Sequence, residues 1–186
     1  LVEDNVQMLE YERRCLEKAY NIITATDGKD ALLKMQQNNV NLVITDVMME
    51  PMDGIELCRS IKYNVELSHI PVIILTAVTS EQGKMKGMES GADAYIVKPF
   101  SMETTQNLLR QREEIKRMYA TSPFVLASST SISPADVEFL KKLKDAVRCN
   151  IGNCDFNVDL LAAEMNMSRT SLNRKVRGTL DQSPNN

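Results

Sequence analysis

Histidine is nearly absent from this chain of 186 residues, with His69 alone, and the four cysteines (Cys15, Cys58, Cys149, Cys154) are scattered. Only Cys149 and Cys154 lie close in sequence, and His69 is far from both, so no Cys/His metal motif can be assembled from neighbouring positions. The cysteines are expected to be reduced and to behave as small apolar side chains. No stretch approaches the roughly 18 consecutive apolar residues of a membrane span. No basic-then-apolar leader opens the chain either. A cytoplasmic location, with no membrane contact from this stretch, is the expectation. There is no internal repeat and no low-complexity tract. The first residue is Leu1, and the opening apolar run is only Leu1-Val2, so the first strand is expected to have lost residues.

What is present is ordinary for a globular protein: 43% hydrophobic and 25% charged residues. The length suits one full domain and one small one. The net charge of −3 excludes little, but its distribution is uneven. Acids gather at Glu3-Asp4, Asp46 and Asp53. Residues 165–178 carry Arg169, Arg174, Lys175 and Arg177 with no acid.

Short apolar runs alternate with amphipathic stretches up to about residue 100. Strands are predicted at residues 1–2, 21–24, 42–45, 71–76 and 94–97. Helices are predicted at 6–19, 28–38, 54–63 and 81–90. Strands of this length separated by such helices point to an α/β fold, a parallel sheet covered on both faces. The right-handed crossover then gives a doubly wound sheet with its site at the carboxyl ends of the strands. A last helix is predicted at about 101–119, followed by a linker rich in Ser and Thr to residue 133. Ser133-Pro134 then opens a helix, Ser as N-cap and Pro at the first position. Val137, Leu140, Leu143, Val147 and Ile151 are predicted to form its apolar face. Two further helices are predicted at 158–165 and about 169–177.

Doubly wound topology brings strand ends together. Glu3-Asp4 end the first strand, Asp46 the third, Thr76 the fourth and Lys98-Pro99 the fifth. Clustered carboxylates suit a hard divalent cation, with Mg²⁺ the usual one beside phosphate. With their charge offset, an Asp oxygen can attack a phosphoryl donor in line and form an acyl phosphate.

The stretches Leu1-Val2-Glu3-Asp4-Asn5, Leu42-Val43-Ile44-Thr45-Asp46-Val47-Met48-Met49, Met52-Asp53-Gly54, Pro71-Val72-Ile73-Ile74-Leu75-Thr76-Ala77, Gly91-Ala92-Asp93 and Tyr95-Ile96-Val97-Lys98-Pro99-Phe100 resemble the receiver domains of two-component response regulators. The resemblance implies a flavodoxin-like five-stranded sheet in the order 2-1-3-4-5 and a receiver domain over residues 1–118. It implies Asp46 as phosphoacceptor, and Mg²⁺ bound through Glu3, Asp4, Asp46 and the Met48 backbone carbonyl. Thr76 becomes the switch hydroxyl, Lys98 the phosphate-contacting lysine and Tyr95 the aromatic switch. A cis Lys98-Pro99 peptide is implied as well. Phosphorylation would draw Thr76 inward, let Tyr95 turn in and remodel the face formed by the family's fourth helix, fifth strand and fifth helix, on which many relatives dimerise.

Two positions depart from the family pattern. Glu50-Pro51 reverses the usual Pro-Glu order after the phosphoacceptor. Proline fixes φ and removes an N–H, so the loop beside the acidic pocket is expected to change shape. The family's fifth helix is also several residues short here.

The C-terminal part, residues 134–186 after a linker at 119–133, resembles the first helix-turn-helix of the AraC family. Val158, Leu161, Ala162, Met165, Met167, Leu172 and Val176 have its spacing. Asn166 occupies the turn, where left-handed geometry is needed. Ser168 caps the helix that follows. Ser168, Arg169, Thr170, Asn173, Arg174 and Arg177 would face DNA. That family carries two such motifs, and the sequence ends where the helix joining them would start. This stretch alone is therefore expected to bind DNA weakly or not detectably.

The resulting expectation is a phosphorylation-controlled DNA-binding regulator rather than an enzyme. Its partners would be a sensor histidine kinase (or a kinase domain of the same chain, as in a hybrid sensor), DNA, and a second copy when phosphorylated. The alternative is a phosphorelay carrier without DNA output, against which the basic helix argues.

Overall fold

The computed structural model describes residues 1–77, 89–98, 107 and 133–180. The chain divides into two units, Leu1–Lys62 with Ile70–Arg110 and Tyr63–His69 with Gln111–Asn186.

In the first unit three parallel strands, β1 (Val43–Asp46), β2 (Val72–Thr76) and β3 (Ala94–Val97), form a sheet in chain order. Asp46 pairs in register with Leu75, and Thr76 with Val97, so the carboxyl ends of all three strands share one edge. Val2 makes single parallel bridges to Ala25 and to Thr45. All five β2 residues are buried, as a central strand covered on both faces requires. Ile44, Ile73, Leu75 and Ile96 form one core cluster with Leu16 of the first helix.

The helices of this unit begin where their sequence provides a cap. Helix α1 (Val6–Leu16) starts at Asn5, whose side chain accepts from the N–H groups of Gln7 (3.0 Å) and Met8 (3.1 Å). Helix α2 (Gly28–Gln37) starts at Asp27 in the same way, with Lys29 N at 2.7 Å and Asp30 N at 3.0 Å. Helix α3 (Gly54–Tyr63) follows Asp53, which accepts from Glu56 N at 2.7 Å. The first two helices stop short of the predicted ends, and the third matches its prediction. The predicted strand at 21–24 is corrected: among the described residues its pairing lies at Ile23 to Ala25 and runs against Leu1 to Glu3, and Ala25 alone registers as a bridge. The helices predicted at 81–90 and 101–119, the short fifth helix among them, and the linker at 119–133 lie largely outside the described residues. So does the Lys98-Pro99 peptide, while Glu50-Pro51 is cis.

Among the described residues the second unit holds three helices, α4 (Pro134–Cys149), α5 (Val158–Glu164) and α6 (Arg169–Leu180). Ser133 caps α4 with Pro134 at its first position, as predicted; its Oγ accepts from Asp136 N at 3.1 Å. The apolar face of α4 is corrected. Phe139, Leu140 and Ala146 are buried with Leu143 packed beside them, whereas Val137, Val147 and Ile151 are exposed. The helix ends at Cys149, so Ile151 has left it, and the 139/140/143/146 spacing follows the helical period toward the neighbouring helices. Leu161, Ala162, Leu172 and Val176 complete this core. Between α5 and α6 Asn166 takes φ +58°, and Ser168 Oγ accepts from Ser171 N at 3.0 Å.

Candidate functional site

The sheet edge sets the site. Val2 N donates to Ile44 O (2.8 Å) and Asp46 N to Val2 O (2.9 Å), which places Glu3 beside the end of β1. Lys98 N donates to Thr76 O at 2.8 Å, carrying the lysine just past β3 to the same edge. A single ammonium then gathers the acids. Lys98 Nζ lies 2.5 Å from Glu3 Oε2, 2.7 Å from Asp46 Oδ1 and 3.3 Å from Glu12 Oε1. Burial alone would lower the Lys98 pKa, but hydrogen bonds to Asp46 and Glu3 hold it above its ordinary value of 10.5.

Asp46 is half-buried, and its second oxygen, Oδ2, accepts from Met48 N at 2.8 Å. The loop beyond it closes tightly, with Gly54 N donating to Val47 O at 3.0 Å. A Cβ on Gly54 would fall 1.9 Å from the Asp46 carbonyl oxygen, so only glycine permits this approach.

The structure therefore brings together Glu3, Asp46 and Lys98 of the residues singled out from sequence. Thr76 is buried at the end of β2. Tyr95 is half-buried in β3, in register with Ile74. Asp4 and Met48 are exposed, and the Met48 N–H donates to Asp46 Oδ2. Among the described residues no group of three or more His, Cys, Asp or Glu side chains is arranged to hold a metal ion. Lys98 supplies the neutralising charge between Glu3 and Asp46. The donors there are hard carboxylate oxygens, the chemistry that a divalent cation such as Mg²⁺ takes.

Sequence reading missed Glu12. Its signal was available, because Glu12 lies four residues before buried Leu16 on the inward stripe of α1. Burial raises its carboxyl above the ordinary 4.5, an effect that Lys98 only partly offsets.

At the basic end, Arg169 makes an exposed ion pair with Asp159 at 3.0 Å. Thr170 and Arg177 are exposed, as is Ser168, while Asn173 and Arg174 are half-buried. Lys175, counted from sequence within the basic stretch, is fully buried and ion-paired with Asp136 of α4.

The sequence model of the response regulator receiver domain matches residues 1–110. The chain belongs to the response regulator receiver family. It is 38% identical over its whole length to histidine kinase P4 of Formosa agariphila, of which it spans 14%. It is 32% identical to the probable transcriptional regulator ycf27 of Galdieria sulphuraria, over 89% of this chain and 68% of that one. Among solved structures, the receiver domain of Francisella response regulator 1452 superposes with a TM-score of 0.52 at 31% identity, covering 63% of this chain and 94% of that domain. This receiver thus has the flavodoxin-like parallel sheet with helices, and its family implies a histidine kinase as partner.

Proposed function

We propose that Asp46 is the phosphoacceptor of this receiver, and that its phosphorylation controls a DNA-binding output. The observation that carries the reading is the convergence of Glu3 and Asp46 on Lys98 at the carboxyl edge of the sheet. An Asp46 oxygen attacks the phosphorus of a phosphohistidine. The P–N bond breaks, its electron pair stays on the imidazole nitrogen, and an acyl phosphate forms. Lys98 then offsets the charge of the phosphoryl oxygens. Glu3, Asp4, Asp46 and the Met48 carbonyl would hold Mg²⁺, which lowers the repulsion between carboxylates and phosphoryl donor. Thr76 and Tyr95 would carry the change to the rest of the domain. The bridges of Val2 to Ala25 and Thr45 support the order 2-1-3-4-5.

The test is intact mass after incubation with acetyl phosphate and Mg²⁺, for wild type and Asp46→Ala. A phosphoryl adduct is expected on wild type alone. An adduct that persists in Asp46→Ala overturns the assignment.

For the output we propose a receiver at 1–118, a linker at 119–133 and an AraC-type helix-turn-helix at 134–186. The left-handed turn at Asn166 between α5 and α6 supports this, as does the Ser168 cap. The DNA-facing set is Ser168, Arg169, Thr170, Asn173, Arg174 and Arg177. The alignment of the whole of this chain with 14% of a histidine kinase favours a place within a hybrid sensor. With the second motif restored, salt-dependent DNA binding that weakens in Arg177→Ala is expected in a mobility-shift titration. No detectable DNA binding with the second motif restored would favour the phosphorelay carrier, and binding unaffected by Arg177→Ala would overturn the DNA-facing set.

A further inference from the structure

Glu12 does not belong to the acidic set that sequence places at the strand ends. It reaches the site from within α1, is 1% exposed, and neither carboxylate oxygen has a hydrogen-bond partner among the described residues. An unsatisfied buried carboxylate is costly, and an apolar side chain there would simply continue the stripe that ends in Leu16. What the carboxylate does reach is Lys98, at 3.3 Å. Lys98 is also the cation that a phosphoryl group on Asp46 requires. The same ammonium is therefore claimed from two sides. A phosphoryl group brings roughly −1.5 to −2 of charge to Asp46. Glu12 opposes that step twice, by attracting Lys98 toward α1 and by repelling the incoming negative charge.

We propose that Glu12 is a positioning residue that competes with the phosphoryl group for Lys98 and biases the domain toward its unphosphorylated state. The proposal rests on the reading of Asp46 as phosphoacceptor. Replacing Glu12 frees Lys98 without touching Asp46, Glu3 or the loop at Gly54.

The test uses the full chain and beryllofluoride, a stable stand-in for the phosphoryl group. Mg²⁺ is held at a level where doubling it changes nothing. Beryllofluoride is titrated into wild type, Glu12→Gln and Glu12→Leu by calorimetry, and thermal unfolding of the three proteins is recorded alongside. Both variants are expected to bind at least about threefold tighter than wild type, with melting temperatures equal or higher. A purely structural role would lower the melting temperature and leave the affinity unchanged or weaker. Glu12→Gln that stays folded and binds no tighter than wild type overturns the proposal. Asp46→Asn serves as control: if wild type itself takes up no beryllofluoride, the phosphoacceptor reading fails first. If wild type binds and the Glu12 variants match it, only the role of Glu12 fails.

Discussion

Gly54 opens α3 so close to the carbonyl of Asp46 that the position of a Cβ there would lie 1.9 Å from the oxygen. The atom it would meet is backbone at the end of a buried strand, and it cannot move as a flexible side chain would. This close approach sets the loop that follows Asp46, which Gly54 N closes by donating to Val47 O. Gly54→Ala should therefore lower stability by about 1–3 kcal/mol, the usual range for forced overpacking. Urea unfolding checks it, and an unchanged midpoint would show that the loop gives way freely.

Lys98 neutralises Glu3 and Asp46 and is itself only 16% exposed. Lys98→Met leaves these carboxylates facing one another, so a loss of about 3 kcal/mol at neutral pH is expected. In wild type the folded pKa of Lys98 lies above its ordinary 10.5. Its contribution is thus complete below pH 10.5 and lost as pH rises beyond that value toward the folded pKa. Chemical denaturation at neutral and at alkaline pH, comparing wild type with Lys98→Met, checks both statements.

Asp136 and Lys175 form a buried ion pair between α4 and α6. Burial alone would raise the Asp136 carboxyl, but Lys175 holds it below its ordinary 3.8. A depressed acid stabilises above its unfolded pKa, so this contribution is present above pH 3.8 and lost as pH falls below it. Lys175→Met alone should destabilise the helical unit by about 3–5 kcal/mol, through the buried carboxylate left behind. The double variant with Asp136→Leu should recover most of that loss. Failure of the double variant to recover stability would mean that the pair is not what Lys175→Met disturbs.

Ser133→Ala removes the side-chain acceptor at the start of α4, where Oγ takes the N–H of Asp136. A loss of about 1 kcal/mol is expected by thermal or urea unfolding. A loss below a few tenths would show that Pro134 alone sets the start of this helix.

Much of the molecule was legible in the chain, and each success has a local cause. The helices predicted from Val6, Gly28 and Pro134 start there because the short polar side chains of Asn5, Asp27 and Ser133 reach free N–H groups within three residues. Alternating apolar runs and helical stretches announced a parallel α/β unit, and strand-end carboxylates announced Asp46 and Glu3. Other features depend on partners distant in sequence. The carboxylate of Glu12 is drawn to Lys98, Lys175 is consumed by Asp136, and Phe139 rather than Val137 faces the core of the helical unit. Sequence by itself determined which residue types stand at the strand ends and where helices begin, because short-range hydrogen bonding and periodicity decide those. Only the tertiary structure decided which charge each charge meets, since Coulomb pairing depends on distances that folding alone creates.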